Sequence, residues 1–155
     1  MASTLTAATM TVTITESINL NGTNQGATNT LSLASIAEVS KRIVNCPVAE
    51  VEVVAMATAV ASGTFVESTV KYIRFTNLDD TNHITLTFKD EDATEVALLL
   101  DKGQSFIYNG DIAGGVVNTM HAGGSALSVS LNDLVNVTAL ADTAACDMEI
   151  FVAST

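Results

Sequence analysis

Two neighbouring carboxylates and a histidine, Asp79, Asp80 and His83, lie within the segment KYIRFTNLDDTNHITLTF. A carboxylate pair catalyses proton transfer when its surroundings drive the two pKa values apart, and carboxylate and imidazole groups also bind metal ions. The flanking residues alternate between apolar and polar types, which is typical of strands, and Asn and Asp favour a turn because they hydrogen-bond to their own backbone. We therefore interpret the segment as a β-hairpin with a solvated tip and an outward-facing His83, rather than as a catalytic or metal site.

A second acidic segment, KDEDATE, places Asp90, Asp92 and Thr94 at alternate positions, as in a calcium-binding loop. A Ca²⁺ loop of the helix–loop–helix type requires Gly at position 6 and Glu at position 12. These positions hold Glu95 and Asp101, so the match fails and a turn between two strands is predicted. A looser cage of oxygen ligands stays open as an alternative, because hard cations accept many geometries.

The remaining candidates for chemistry are isolated in the sequence. His121 has no cysteine, acid or second histidine at metal-ligand spacing, and Ser125 follows two glycines without the spacing of a nucleophile elbow. Cys46 and Cys146 are interpreted as buried free thiols, and the sequence leaves a disulfide between them open. No P-loop, HExxH or CxxC motif is present. We predict no catalytic, cofactor-binding or metal-ligating residues, no cofactor and no enzymatic activity.

Apolar and polar residues alternate along most of the chain, which is typical of half-buried strands. About ten to eleven short strands are predicted, separated by turns every 8–12 residues or so, a spacing typical of sandwiches and barrels. The sequence therefore predicts an all-β fold, a two-sheet antiparallel β-sandwich that is jelly-roll-like. The apolar sides of its clearest strands are formed by Met10, Val12, Ile14, Ile73, Phe75, Ile84, Leu86, Phe88, Leu127, Val129, Leu131, Met148, Ile150 and Val152.

A single domain is predicted over residues 1–155, since no linker divides the chain. Residues 1–9 are small and polar, and we expect them either to fray or to form an arm that becomes ordered against a partner. The segment NGTNQGATN, residues 21–29, is predicted to be a loop because it lacks periodicity. Pro47 is expected to end a strand, because proline lacks the N–H that a central strand requires.

The chain carries a net charge of −11, from 17 acidic and six basic residues. The bases are scattered, whereas phosphate binding needs clustered Lys and Arg, so binding to nucleic acid or to an anionic membrane is disfavoured. Neither a secretory signal nor a membrane-spanning segment is predicted. An acidic protein is suited to docking onto a more basic protein surface.

Two groups of segments carry a resemblance to a known class of proteins. The segment TITESINLNGTNQGATNTLSLASIAEVSKRIVNCP resembles the opening of small structural proteins of tailed bacteriophages, especially cyanophages and other marine phages. The segments YIRFTNLDDTNHITLTF and EVALLLDKGQSFIYNG are similar to the centre of the same β-sandwich virion proteins. The resemblance covers roughly residues 11–110.

The resemblance implies a non-enzymatic virion protein, in particular a capsid cement or decoration protein that binds and stabilises the shell of major capsid protein. It implies a homo-oligomer, with a trimer favoured, made in the host cytoplasm and located on the capsid surface. A tail or fibre component that binds a host surface or another tail protein is the alternative, and loops 21–29, 89–94 and 109–126 would then carry recognition. A hydrolase with an unrecognised site at Asp79, Asp80 and His83 is a third possibility.

Overall fold

Strands account for all the regular structure that the computed structural model describes, which covers residues 4–110, 115–127 and 129–155. Within these ranges no helix is long and apolar enough to cross a membrane. The strands are, in chain order, β1 (Ala8–Thr15), β2 (Asn19–Leu20), β3 (Thr23–Asn24), β4 (Thr28–Ile36), β5 (Glu38–Cys46), β6 (Val51–Ala57), β7 (Phe65–Val66), β8 (Val70–Asn77), β9 (Ile84–Asp90), β10 (Glu95–Leu100), β11 (Ser105–Asn109), β12 (Val117–Asn118), β13 (Asn132–Ala141) and β14 (Cys146–Ser154).

Two sheets packed face to face form the body of the protein. The four-stranded sheet has the order β11-β8-β14-β5, and the six-stranded sheet has the order β10-β9-β13-β6-β7, with β12 paired to β13. Four connections, from β5 to β6, β8 to β9, β10 to β11 and β13 to β14, join strands at corresponding positions of the two sheets. This arrangement of eight main strands is a jelly roll, and it confirms the predicted all-β, two-sheet antiparallel sandwich.

The connections give the jelly roll two different ends. The four connections between the sheets, residues 47–50, 78–83, 101–104 and 142–145, are short and lie at one end, which we call the crossover end. The opposite end carries the long segments between β6 and β8 and between β11 and β13, together with the turn between β9 and β10. We call it the long-loop end.

The core lies between the two sheets and follows the alternation predicted from the sequence. Each inward-facing side chain that is removed from water contributes about 1.5–3 kcal/mol to stability, which is why period-two alternation fixes the orientation of a strand. The predicted inward positions of β8, β9 and β14 are confirmed, because all of them are at most 1% exposed: Ile73, Phe75, Ile84, Leu86, Phe88, Met148, Ile150 and Val152. Strand β5 ends at Cys46, immediately before Pro47, as predicted.

A β-hairpin at the N-terminus forms a third layer outside the sandwich. Strands β1 and β4 pair antiparallel, from Ala8 opposite Ile36 to Thr15 opposite Thr28. The hairpin side that faces the four-stranded sheet is apolar, and it packs on that sheet through a second cluster formed by Met10, Val12, Leu31, Leu33, Ile36, Tyr72, Ile107, Phe151 and Ala153. We call residues 8–36 the N-terminal hairpin. The predicted arm at residues 1–9 therefore runs into a strand at Ala8, while residues 1–3 lie outside the described ranges.

The predicted hairpin between β8 and β9 is wrong. Strand β8 pairs with β11 and β14, whereas β9 pairs with β10 and β13, so residues 78–83 carry the chain from one sheet to the other. A hairpin turn and a connection between sheets use the same Asn- and Asp-rich turn chemistry. The composition of this segment therefore did not distinguish between them.

Two other segments also differ from the prediction. Residues Leu127, Val129 and Leu131 are 86%, 94% and 57% exposed, and the next strand begins only at Asn132, so their assignment to an inward-facing strand is wrong. The predicted loop 21–29 is partly a short hairpin, in which β2 and β3 pair around Asn21 and Gly22. Both turn residues have positive φ, +52° and +81°, as in the Asn-Gly turns that favour tight hairpins.

Candidate interaction surfaces

Asp79 organises the corner between the two sheets. Its Oδ1 accepts hydrogen bonds from the backbone N–H groups of Asn82 at 2.6 Å and Thr81 at 2.7 Å. These two backbone hydrogen bonds, Asn82 first, lower the pKa of the Asp79 carboxyl below its usual value. A carboxylate held ionised in this way stabilises the turn, as the sequence interpretation expected.

The structure does not bring Asp80 and His83 together. Asp80 accepts a hydrogen bond from the hydroxyl of Thr81 at 2.9 Å, whereas His83 Nδ1 lies 3.6 Å from a carboxylate oxygen of Asp142. His83 and Asp142 are both more than a third exposed, so the contact is a surface pair. Asp79 and Asp80 therefore share Thr81 as a partner, whereas His83 contacts Asp142.

Asp90 closes the turn between β9 and β10 in a similar way. Its Oδ1 accepts backbone hydrogen bonds from Asp92 at 3.1 Å and Thr94 at 2.8 Å. The side-chain amide of Asn132 donates to Asp92 at 2.9 Å and to Asp90 at 3.4 Å. Among the residues that the structure describes, no group of three or more His, Cys, Asp or Glu side chains is placed to hold a metal ion.

The isolated candidates fall into two pairs at different places in the fold. His121 and Ser125 are exposed in the segment between β12 and β13, where Ser125 N–H closes a turn onto the Ala122 carbonyl at 3.0 Å. Cys46 and Cys146 face each other across β5 and β14, and both are free and fully buried. Burial raises the pKa of the Cys46 thiol to about 11 and also raises the pKa of Cys146. Both are therefore protonated thiols, as interpreted from the sequence.

The outer part of the N-terminal hairpin exposes large apolar side chains. Ile14, Ile18 and Leu20 are 48%, 48% and 55% exposed. Glu16 is the only charged residue among residues 1–36 of the sequence. We call the surface formed by Ile14, Ile18 and Leu20 the hairpin tip surface; it is apolar and almost uncharged.

The hairpin tip is held in one conformation by its own backbone. Beyond the β1–β4 ladder, the N–H of Glu16 donates to the Ala27 carbonyl at 2.8 Å, and the N–H of Gln25 donates to the Ile18 carbonyl at 3.0 Å. Gly26 passes so close to the Glu16 carbonyl that a Cβ at this position would lie 2.1 Å from the oxygen. Only glycine fits this approach, so the tip is a built feature of the fold.

A cleft opens where the hairpin crosses strand β11, at the edge of the four-stranded sheet. Its walls are mainly apolar and are contributed by both the hairpin and the sheet edge. They are formed by Val12, Ile14, Asn29, Thr30, Leu31, Ile107 and Asn109. The cleft and the hairpin tip surface are therefore neighbouring apolar features on one side of the molecule.

The long-loop end forms a second surface, which is both apolar and acidic. Exposed apolar side chains at this end are Val60, Leu127, Val129 and Leu131, and Val60 and Val129 are more than 90% exposed. Carboxylates that are exposed or partly exposed at the same end belong to Glu67, Glu91, Asp92 and Asp133. Large exposed apolar groups next to charged groups are typical of protein interaction sites.

The pKa of Glu67 is shifted by burial and by the acidic groups of the long-loop end. Burial raises the pKa of its carboxyl above the usual value, and the negative charges of Asp133 and Glu91 raise it further. The folded protein therefore binds a proton at Glu67 more tightly than the unfolded chain does. The acidic groups at this end repel one another at neutral pH.

We expect Glu67→Gln to stabilise the protein at pH 7. Because the folded-state pKa is raised, the stabilising contribution of protonated Glu67 is present below its unfolded pKa and is lost as the pH rises through the folded pKa. Glutamine removes that loss, so the Tm of the variant should exceed that of the wild type at pH 7 and match it below about pH 4. Thermal unfolding across this pH range measures the difference. Glu16→Gln removes the same charge from the N-terminal hairpin and is the control for the change in net charge.

These features define a class of fold, a jelly-roll β-sandwich that carries an N-terminal hairpin and two surfaces with large exposed apolar side chains. Comparison with known proteins found no matching protein-family model and no matching curated protein. From the sequence, loops 21–29, 89–94 and 109–126 were nominated for recognition, but the exposed apolar side chains that form these two surfaces were not identified. The signals were the Asn-Gly turn at residue 21 and the near absence of charge from residues 1–36.

Proposed function

We propose that this chain is a non-enzymatic structural protein of a tailed-bacteriophage virion, a capsid cement or decoration protein that binds and stabilises the shell of major capsid protein. The observation that carries the proposal is the long-loop end, where exposed Val60, Leu127, Val129 and Leu131 lie with several carboxylates on a stiff scaffold. Burying such apolar side chains against a partner is favourable by roughly 25 cal/mol per Å². A surface of this kind is suited to binding a large, preformed partner.

The charge of the chain supports a partner with a basic docking surface. A net charge of −11 at neutral pH accelerates association with a basic surface and disfavours contact with acidic ones. The carboxylates of Glu67, Glu91 and Asp133 at the long-loop end repel one another. Basic side chains of a capsid subunit would relieve this repulsion on docking.

The fold supports a bracing role, although fold alone does not define function. Jelly rolls occur in viral capsid domains and also in lectins and cupins. The two sheets are joined by a continuous core whose largest side chains are fully buried. A stiff body loses little conformational entropy on binding, which suits a protein that links shell subunits on the particle surface.

A tail or fibre component that binds a host surface is the second candidate function. The observation that favours it is the hairpin tip, a rigid feature with Ile18 and Leu20 exposed. Of the three segments nominated for recognition, 21–29 forms the turn and the returning side of this tip, 89–94 forms the β9–β10 turn, and 109–126 lies partly outside the described ranges. Such a component would retain host cells in a pull-down, whereas a cement protein would not.

Analysis of purified virions tests the proposal. Mass spectrometry should find the chain in a fixed ratio to the major capsid protein, and a virion reconstruction should place its long-loop end against the shell. Density on the tail would support the second candidate instead. Presence of the chain only in infected-cell lysate, and not in virions, would defeat both.

Variants of the long-loop end make the capsid contact testable in solution. We expect Leu127→Ser combined with Val129→Ser to weaken binding to shells of major capsid protein by about 100-fold, since two large apolar side chains lose their burial. Val48→Ser is the control, because Val48 is 55% exposed at the crossover end. Co-sedimentation with shells measures both. Equal binding by the double variant and the wild type would contradict docking through the long-loop end.

A further inference from the structure

We propose that the hairpin tip surface is a self-association surface and that its occupant is a second copy of this chain, whose cleft beside β11 receives Ile18 and Leu20. The inference goes beyond the proposed function and does not depend on it, since two copies would meet in this way with or without a capsid. The exposed apolar tip, the neighbouring cleft and the distribution of charge are the observations that support it.

The distribution of charge favours a second copy as the occupant of this surface. Residues 1–36 contain one of the 17 acidic residues and none of the six bases, so residues 37–155 carry a net charge of −10. Contact between two copies through their long-loop ends would bring the carboxylates of Glu67, Glu91 and Asp133 on one copy against those on the other. Like charges in contact oppose association. The hairpin is where two such acidic molecules approach each other with the least repulsion.

The tip and the cleft are chemically matched, because both are apolar. The tip presents Ile18 and Leu20, both about half exposed. The cleft offers Val12, Leu31 and Ile107 as apolar walls. Insertion of Ile18 and Leu20 between the walls of the cleft buries apolar surface on both copies, and this burial is the main favourable contribution to such association.

The tip is also prepared for binding before a partner arrives. Its Asn-Gly turn, the β2–β3 pairing and the close approach of Gly26 to Glu16 define one conformation. A preformed element avoids the entropic cost of ordering a loop on binding. Because tip and cleft are different patches, the contact gives a reciprocal pair, a closed ring or, where the rotation does not close, an open filament. A ring of three would agree with the predicted trimer.

Sedimentation velocity of the full chain, without capsids, tests the inference. We expect wild-type protein to form a closed oligomer whose association strengthens with salt, since the Debye length falls from about 30 Å at 0.01 M to about 8 Å at 0.15 M and screens the repulsion between acidic bodies. Ile18→Thr combined with Leu20→Thr should weaken association by about 100-fold. Threonine suits an exposed strand, so the hairpin should stay folded.

The control removes two exposed leucines elsewhere, Leu99 at 62% and Leu140 at 38% exposed. Leu99→Thr with Leu140→Thr changes two residues that flank Thr85 on the outer face of the six-stranded sheet, and association should be unchanged. A wild type that stays monomeric at every salt concentration, or a tip variant that associates as the wild type does, would overturn the inference. Neither result would alter the outcome of the virion test.

A substitution in the cleft tests the same contact without changing the tip. Asn109→Asp places a carboxylate at the cleft rim, at an exposed position of β11, and should weaken self-association. Mixed with the tip variant, it should form a one-to-one complex but no larger oligomer, because one copy keeps its tip, the other keeps its cleft, and only one contact between them is intact. No recovery on mixing would show that tip and cleft do not bind each other.

Discussion

Phe88→Ala is expected to lower the free energy of unfolding by about 3–5 kcal/mol, the cost typical of truncating a buried aromatic residue. Phe88 is 1% exposed and belongs to the six-stranded sheet. Its ring centroid lies 5.8 Å from Phe75, 5.3 Å from Phe106 and 5.6 Å from Tyr108, all of which belong to the four-stranded sheet. The substitution therefore removes the centre of an aromatic cluster that joins the two sheets.

Denaturant unfolding of the purified chain measures the loss caused by Phe88→Ala. For a domain of this size the corresponding fall in Tm is roughly 6–20 °C. Phe88→Leu is the matched control, and its loss should be smaller because leucine fills part of the cavity while giving up the ring contacts. A Phe88→Ala protein within about 1 kcal/mol of the wild type would mean that the two sheets are not held together at this cluster.

Alternation of apolar and polar side chains predicted the strands of the sandwich, because each of these strands buries one face against the core. Ile84, Leu86 and Phe88 are apolar at every second position, and all three face the core. Thr85 and Thr87 alternate with them on the opposite face of β9. A shift of one residue would move the whole apolar set into water, so the sequence strongly specifies which face is inside.

Alternation of apolar and polar residues does not indicate which strands pair with each other in a sheet. The same residues that predicted β8 and β9 as strands were consistent with one sheet or with two. The outcome depends on contacts that are distant in sequence, such as the pairing of β8 with β14 and of β9 with β13. Propensity and turn composition are local signals, and they are overridden by tertiary packing of this kind.

The exposed apolar side chains of the two surfaces escaped prediction for opposite reasons. Leu127, Val129 and Leu131 alternate like a core strand, but no ladder covers them within the described residues, and their exposure is what makes them a candidate docking site. Residues 21–29 lack periodicity, yet the Asn21-Gly22 turn folds them back into the hairpin. Places where local pattern and fold disagree are often functional. The nominated carboxylates, by contrast, were correctly interpreted as turn residues.

Asn77→Ala is expected to lower the free energy of unfolding by about 2–4 kcal/mol, because it leaves several backbone groups without partners. Asn77 is the last residue of β8 and is fully buried. Its side-chain NH₂ group donates to the backbone carbonyls of Asn82 at 2.9 Å and Leu100 at 3.2 Å. Its side-chain oxygen, Oδ1, accepts a hydrogen bond from the backbone N–H of Asp79 at 2.9 Å. One side chain thus links the connection from β8 to β9 with the end of β10.

Asn45→Ala is the matched control for Asn77→Ala, since Asn45 is exposed and its amide bonds only to the Asp147 carboxylate among its described side-chain contacts, at 2.9 Å. Its loss should stay within about 0.5 kcal/mol, as is usual for surface positions. Native-state hydrogen exchange locates the effect, because Asn77→Ala should speed exchange of the Asp79 amide relative to amides of the β5–β14 ladder. Equal losses for the two variants would show that the corner between the sheets is held by its backbone turns alone, and not by the buried amide.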